Sequence, residues 1–81
     1  MRLSGYSIRR RVEDFLKNTF SADDIRLLKI EANVKERKWI VTCVYTRFWL
    51  TLWEKKREDI KARIVIDDEK DEVVEYEVLE Q

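Results

Sequence analysis

Histidine and proline are absent from this 81-residue chain, and glycine and cysteine occur once each. Without imidazole there is no Ser-His-Asp or Cys-His arrangement, no histidine metal ligand and no side chain whose ordinary pKa lies near neutrality. A single glycine, Gly5, is too few for a phosphate-cradling loop. A single cysteine, Cys43, closes no intramolecular disulfide and supplies too few ligands for zinc. The sequence therefore predicts a non-enzymatic protein without cofactor or metal. Linkers rich in Pro, Gly or Ser are missing too, as are repeats, so residues 1–81 read as one domain. Three arginines, Arg9, Arg10 and Arg11, arrive before any apolar stretch of signal-peptide length. No window approaches the roughly 18 apolar residues that a membrane span needs. A soluble, cytoplasmic protein with no membrane partner is expected, and the lone thiol suits a reducing compartment.

What the chain does have is charge: 17 basic and 17 acidic residues, 42% of the total. That density of both signs, with a single glycine, resembles the ion-pair-rich surfaces of thermophile proteins, although the absence of proline runs against the loop-stiffening part of that pattern. The zero net charge conceals a segregation. Residues 1–63 hold sixteen basic and nine acidic side chains, net +7, and residues 64–81 hold one basic and eight acidic, net −7. The bland consequence is that an acidic last strand pairs with basic neighbours inside the same fold.

Apolar residues at Ile8, Val12, Phe15, Leu16 and Phe20 follow helical spacing, with Ser7 placed to cap the first turn. Residues 25–34 alternate, which predicts a strand with Leu28, Ile30, Ala32 and Val34 facing inward. Residues 39–53 form the strongest β signal, rich in Trp, Tyr, Phe, Val, Ile and Thr. Both of its faces are largely apolar, as in a strand covered on two sides. A rival reading places a second helix over residues 48–63, because Trp49, Trp53, Lys56 and Ile60 recur at helical spacing. Ile60, Ala62, Ile64 and Ile66 on one strand, and Val74, Tyr76 and Val78 on the next, read as a closing hairpin. The predicted fold is α+β, an N-terminal amphipathic helix packed on a four-stranded antiparallel β-meander.

Two kinds of partner follow from the residue types. Trp39, Tyr45, Arg47, Trp49 and Trp53 share one strand face and match the side chains that dominate protein interfaces. They predict a homodimer packed sheet on sheet, hence a protein-interaction module of accessory or regulatory kind. Alternatively, Arg9, Arg10, Arg11 and Lys38 would hold phosphates while aromatic rings stack on bases, giving a small nucleic-acid-binding protein. Asp67, Asp68, Glu69, Asp71 and Glu72 crowd one turn, but they lack the mid-loop glycine and ligand spacing of a calcium loop and read as a solvated turn. Cys43, with no cationic neighbour in sequence, reads as a small buried hydrophobe.

The order of helix then strands, with Trp39 opening a long strand and a closing hairpin Asp68-Glu69-Lys70-Asp71-Glu72-Val73-Val74-Glu75-Tyr76, resembles small PepSY-type and cystatin-like α+β modules. The resemblance covers residues 39–81, and Asp71 stands where those hairpins usually carry glycine. It implies a helix cradled by an antiparallel meander, with an inhibitory or protein-binding role. It includes no site motif, so it assigns no functional residue.

Overall fold

A computed structural model describes residues 2–81. Helix α1 (Gly5–Phe20) precedes four strands, β1 (Asp23–Asn33), β2 (Lys38–Leu50), β3 (Lys55–Asp67) and β4 (Glu72–Glu80). Each strand pairs antiparallel with its sequence neighbour, in the order β1-β2-β3-β4. The predicted α+β architecture is thus what the chain adopts.

The helix starts a turn earlier than Ser7 suggested. Ser4 is the N-cap, and its hydroxyl accepts the Ser7 N–H at 3.2 Å. At the other end Ser21 takes a left-handed φ of 53°, which lets its N–H reach the Lys17 carbonyl and the Ala22 N–H reach that of Leu16. Ile8, Val12 and Leu16 are wholly buried. They lie on Val41, Cys43 and Tyr45 of β2 and Ile60, Ala62, Ile64 and Ile66 of β3, which form one core cluster with them. Deletion of any one of these large side chains costs roughly 2–5 kcal/mol.

An aromatic group closes the C-terminal end of the helix. Phe20 stacks on Tyr45 at 5.8 Å between ring centroids and lies 5.1 Å from Tyr76, while Phe15 meets Phe20 edge-on at 6.1 Å. The two phenol oxygens of Tyr45 and Tyr76 hydrogen-bond each other. Burial, reinforced by that bond, raises the Tyr45 pKa far above the ordinary phenol range. The Cys43 thiol is buried too, within 3.7 Å of the Ala62 carbonyl, and burial pushes it up to about 11.

At the helix N-terminal end the acidic turn is only partly the solvated feature the sequence predicts. Asp68 is 2% exposed, and its carboxylate accepts the backbone N–H groups of Arg2 (2.6 Å) and Leu3 (2.9 Å) and the Trp39 indole N–H (2.9 Å). Burial alone would raise its pKa; the three donors outweigh it and hold the carboxyl at about 2. Asp71 lies outside and takes a bidentate pair from Arg11, at 3.1 and 2.7 Å. Arg37 pairs with Glu69 beside it.

Four bulges, two in β1 (the first between Asp23 and Arg26) and two in β4, change the facing pattern. In β1, Leu27 opposes Cys43 and Lys29 opposes Thr42, so Leu28 is left over and stands 55% exposed. Ile25 and Leu27, not Leu28, pack against the core, and Val34 lies outside it in the turn. In β4 the extra residues are Val74 and Leu79, so Val73, Tyr76 and Val78 face the helix side and Val74 does not share their face. The face of the sheet away from the helix is not bare. Arg63 lies 3.8 Å from Glu75 and 3.2 Å from Glu77, Lys29 lies 3.0 Å from Glu31, and Val65 is buried among its neighbours. The acidic last strand thus pairs with basic residues of the same fold.

Candidate functional site

The two central strands are longer than their neighbours, and at one end they leave the domain. Pairing of β1 with β2 stops at Asp23 opposite Thr46, and pairing of β4 with β3 stops at Lys61 opposite Glu80. The β2–β3 ladder continues past both, from Arg47 opposite Glu58 to Leu50 opposite Lys55. Residues 47–58 therefore form a two-stranded arm, which gives the molecule its 49 × 20 × 18 Å outline. No second helix exists over residues 48–63. The helical spacing of Trp49, Trp53 and Lys56 is broken by the turn between them.

Thr51 builds that turn. Its N–H donates to the Glu54 carbonyl at 2.8 Å, and its hydroxyl accepts the N–H groups of Trp53 (3.3 Å) and Glu54 (3.0 Å). Leu52 and Trp53 are carried at the tip, 93% and 90% exposed. Cross-strand partners share a face, so Phe48 and Leu50 lie with Arg57 and Lys55, and Trp49 lies with Lys56 and, nearer the root, Arg47 and Glu58. The Lys55 ammonium sits 4.4 Å from the Phe48 ring centre and that of Lys56 5.5 Å from Trp49. Both lysines lay their aliphatic stems along the arm while keeping their charge in water.

Charged contacts set the root. Arg47 reaches Glu58 at 3.6 Å, while Asp59 accepts from Thr46 (2.8 Å) and Arg57 (3.2 Å). The Thr46 and Arg57 hydrogen bonds lower the Asp59 pKa below the ordinary carboxylate value. Beside the root, Val44, Asp59, Ile60, Lys61, Glu80 and Gln81 line an open hollow where β4 ends.

Of the five residues expected to form an aromatic face, the fold gathers Arg47, Trp49 and Trp53 on the arm. Tyr45 is buried beneath the helix, and Trp39 packs half-buried on the core at the opposite end of β2. The helix itself occupies that part of the sheet face. Arg9 and Arg10 are exposed on the first half of the helix, Arg11 is committed to Asp71, and Lys38 begins β2 opposite Asp67. Lys38 and Leu50 stand at opposite ends of the 13-residue β2, about 40 Å apart at ~3.3 Å per residue, and Arg11, tied to Asp71, lies toward the Lys38 end. Sequence reasoning missed Phe48, Leu50, Leu52, Lys55, Lys56 and Arg57 as members of one site. Their signal was an apolar run meeting a basic run, concealed because Thr-Leu-Trp-Glu carries no glycine, proline or asparagine to announce a turn.

Among the described residues no cluster of three or more acidic or cysteine side chains is arranged to hold a metal ion, and no helix is long and apolar enough to cross a membrane. Compared with known proteins, the chain matches no family model, no curated protein and no solved structure.

Proposed function

We propose that the protein is a non-enzymatic interaction module of the cytoplasm that grips a protein partner with its β-hairpin arm. One observation carries this reading: Trp49, Leu50, Leu52 and Trp53 are exposed together on a ribbon that extends past both edge strands. Exposed apolar side chains scattered singly are ordinary, whereas a contiguous set rimmed by charge marks an interaction surface. Tryptophan and arginine are the residues on which interface energy concentrates. The homodimer expected from the sheet face moves, in this reading, to the arm, because the helix fills the face that Tyr45 lines.

A second reading has its own support. Lys55, Lys56 and Arg57 follow both faces of a two-stranded ribbon beside Phe48 and Trp49, an arrangement able to lie along a nucleic-acid groove. Glu54, Glu58 and Asp59 interrupt this charge, and Arg9 and Arg10 are too far away to extend it.

A photo-crosslinking side chain placed at Leu52, with half-buried Glu13 on the helix as control, separates the two in cells. Protein adducts formed from position 52 and not from 13 support the protein-binding reading. Adducts only to nucleic acid, with an oligonucleotide affinity that falls steeply as salt is added, would replace it with the second.

A further inference from the structure

We infer that the partner of the arm includes a second copy of this chain, held by antiparallel pairing of the two β3 edges over residues 55–59. This rests on the reading of the arm as a protein-binding element and names its occupant and register. β4 ends opposite Lys61, so residues 55–59 of β3 have backbone groups on their outer side with no strand beside them. An open edge of this kind pairs readily with another strand, and natural proteins usually block it. The notch beyond Glu80 is one strand wide and leaves those five residues of β3 free.

The residues in the notch choose their own register. Two identical strands that pair antiparallel around a two-fold axis normal to the sheet must place a residue opposite its own copy, because paired residues point to the same face. Centring on Lys56 sets Lys55 against the partner's Arg57 and Glu54 against the partner's Glu58, which repels at both positions. Centring on Glu58 sets Lys55 against the partner's Lys61, a position that Glu80 already occupies. Centring on Arg57 sets Lys55 against the partner's Asp59 and Lys56 against the partner's Glu58. By symmetry that gives four oppositely charged cross-strand pairs. The one like pair, Arg57 with the partner's Arg57, is relieved because each Arg57 already holds its own Asp59 at 3.2 Å. Lys-Lys-Arg-Glu-Asp is thus self-complementary in the one of these registers that satisfies both the notch and the charges. The same register carries each tip, with Leu52 and Trp53, toward the partner's hollow of Val44, Ile60, Lys61 and Glu80. Two four-stranded sheets then join through their arms into one continuous sheet.

Charge exchange tests this. Lys56→Glu sets Glu58 against a second acid, and Glu58→Lys sets Lys56 against a second base, in both symmetric pairs at once. Light scattering is expected to give a dimer for the unaltered chain. Each variant alone should have its dimer dissociation constant raised roughly tenfold or more. An equimolar mixture of the two should recover a one-to-one dimer, because every pair is again complementary. That recovery also shows that both variants are folded. A monomer for the unaltered chain at the highest soluble concentration overturns the inference. So does a dimer indifferent to both substitutions, or a pair of monomeric variants, folded by circular dichroism, that do not rescue each other. If self-pairing fails while position 52 still crosslinks a different protein, the protein-binding reading stands without it; if both fail, both fall.

Discussion

Leucine-to-alanine substitution at two positions measures how far the arm is independent of the domain that carries it. Leu16 is fully buried between helix and sheet and Leu52 is 93% exposed at the arm tip, so the same atoms are removed from opposite environments. At Leu16 the lost transfer energy and the cavity left behind amount to roughly 2–5 kcal/mol, and about 3 kcal/mol is expected because neighbours contributed by two strands collapse only partly. A domain of this size loses about 4–8 °C of melting temperature per kcal/mol, so Leu16→Ala should melt roughly 12–24 °C lower. At Leu52 nothing is uncovered, and the change should stay within about 0.5 kcal/mol, or some 4 °C at most. Urea unfolding followed by circular dichroism, at a concentration low enough to suppress association, reads both values. Leu52→Ala should weaken self-association instead, which Leu16→Ala leaves intact wherever the protein is folded. A loss above about 1 kcal/mol for dilute Leu52→Ala would refute the reasoning, since it would mean that the tip packs on its own domain.

The acid limb of stability should report Asp68. Its carboxyl is held at about 2 in the folded chain against an ordinary 3.8, so its stabilising contribution is complete above about pH 4 and fades as the pH falls toward 2. Asp68→Asn should therefore be less stable at neutral pH and lose less between pH 4 and 2, as urea midpoints across that range would show; an unchanged acid slope would count against the three-donor clamp. Cys43, buried and raised to about 11, should react with a thiol reagent only at the rate of unfolding, and modification at the rate of a free thiol would contradict its burial. Tyr76→Phe strips the phenol partner from the 2%-exposed Tyr45 and should cost about 1–2 kcal/mol in urea unfolding, while Phe20 keeps its ring contact. A neutral result would mean that water reaches the Tyr45 hydroxyl.

Periodicity revealed the elements whose pattern is regular. Ile8, Val12 and Leu16 mark the buried helix stripe, and Ile60, Ala62, Ile64 and Ile66 mark the buried face of β3, because in each case the geometry repeats without interruption. Where one residue is inserted into a strand, alternation misleads by one step. Leu28 and Val74 are assigned inward by pattern and turned out by bulges that no local residue type announces. Asp71, standing where glycine was expected, adopts a φ of 53° and has a reason to remain acidic in Arg11. The site was half legible. Arg47, Trp49 and Trp53 were recognisable by type, but which aromatics the helix would cover depended on where β1 and β4 stop, a property of the assembled sheet and not of any one strand.

The neighbour-to-neighbour strand order also bears on how the chain reaches this state. Every ladder closes across a short turn, at residues 34–37, 51–54 and 68–71, so the sheet assembles without long-loop entropy. The widest closures are those of Asp68 on Leu3 and Arg2, separated by 65 and 66 positions. Hairpins form in microseconds, and a contact spanning almost the whole chain belongs to the last step. Stopped-flow chevrons should accordingly show Val41→Ala, in the central hairpin, slowing refolding, and Asp68→Asn speeding unfolding while leaving the refolding rate alone. The acidic turn then serves as a latch that sets how long the finished domain stays closed, with little influence on how fast it forms.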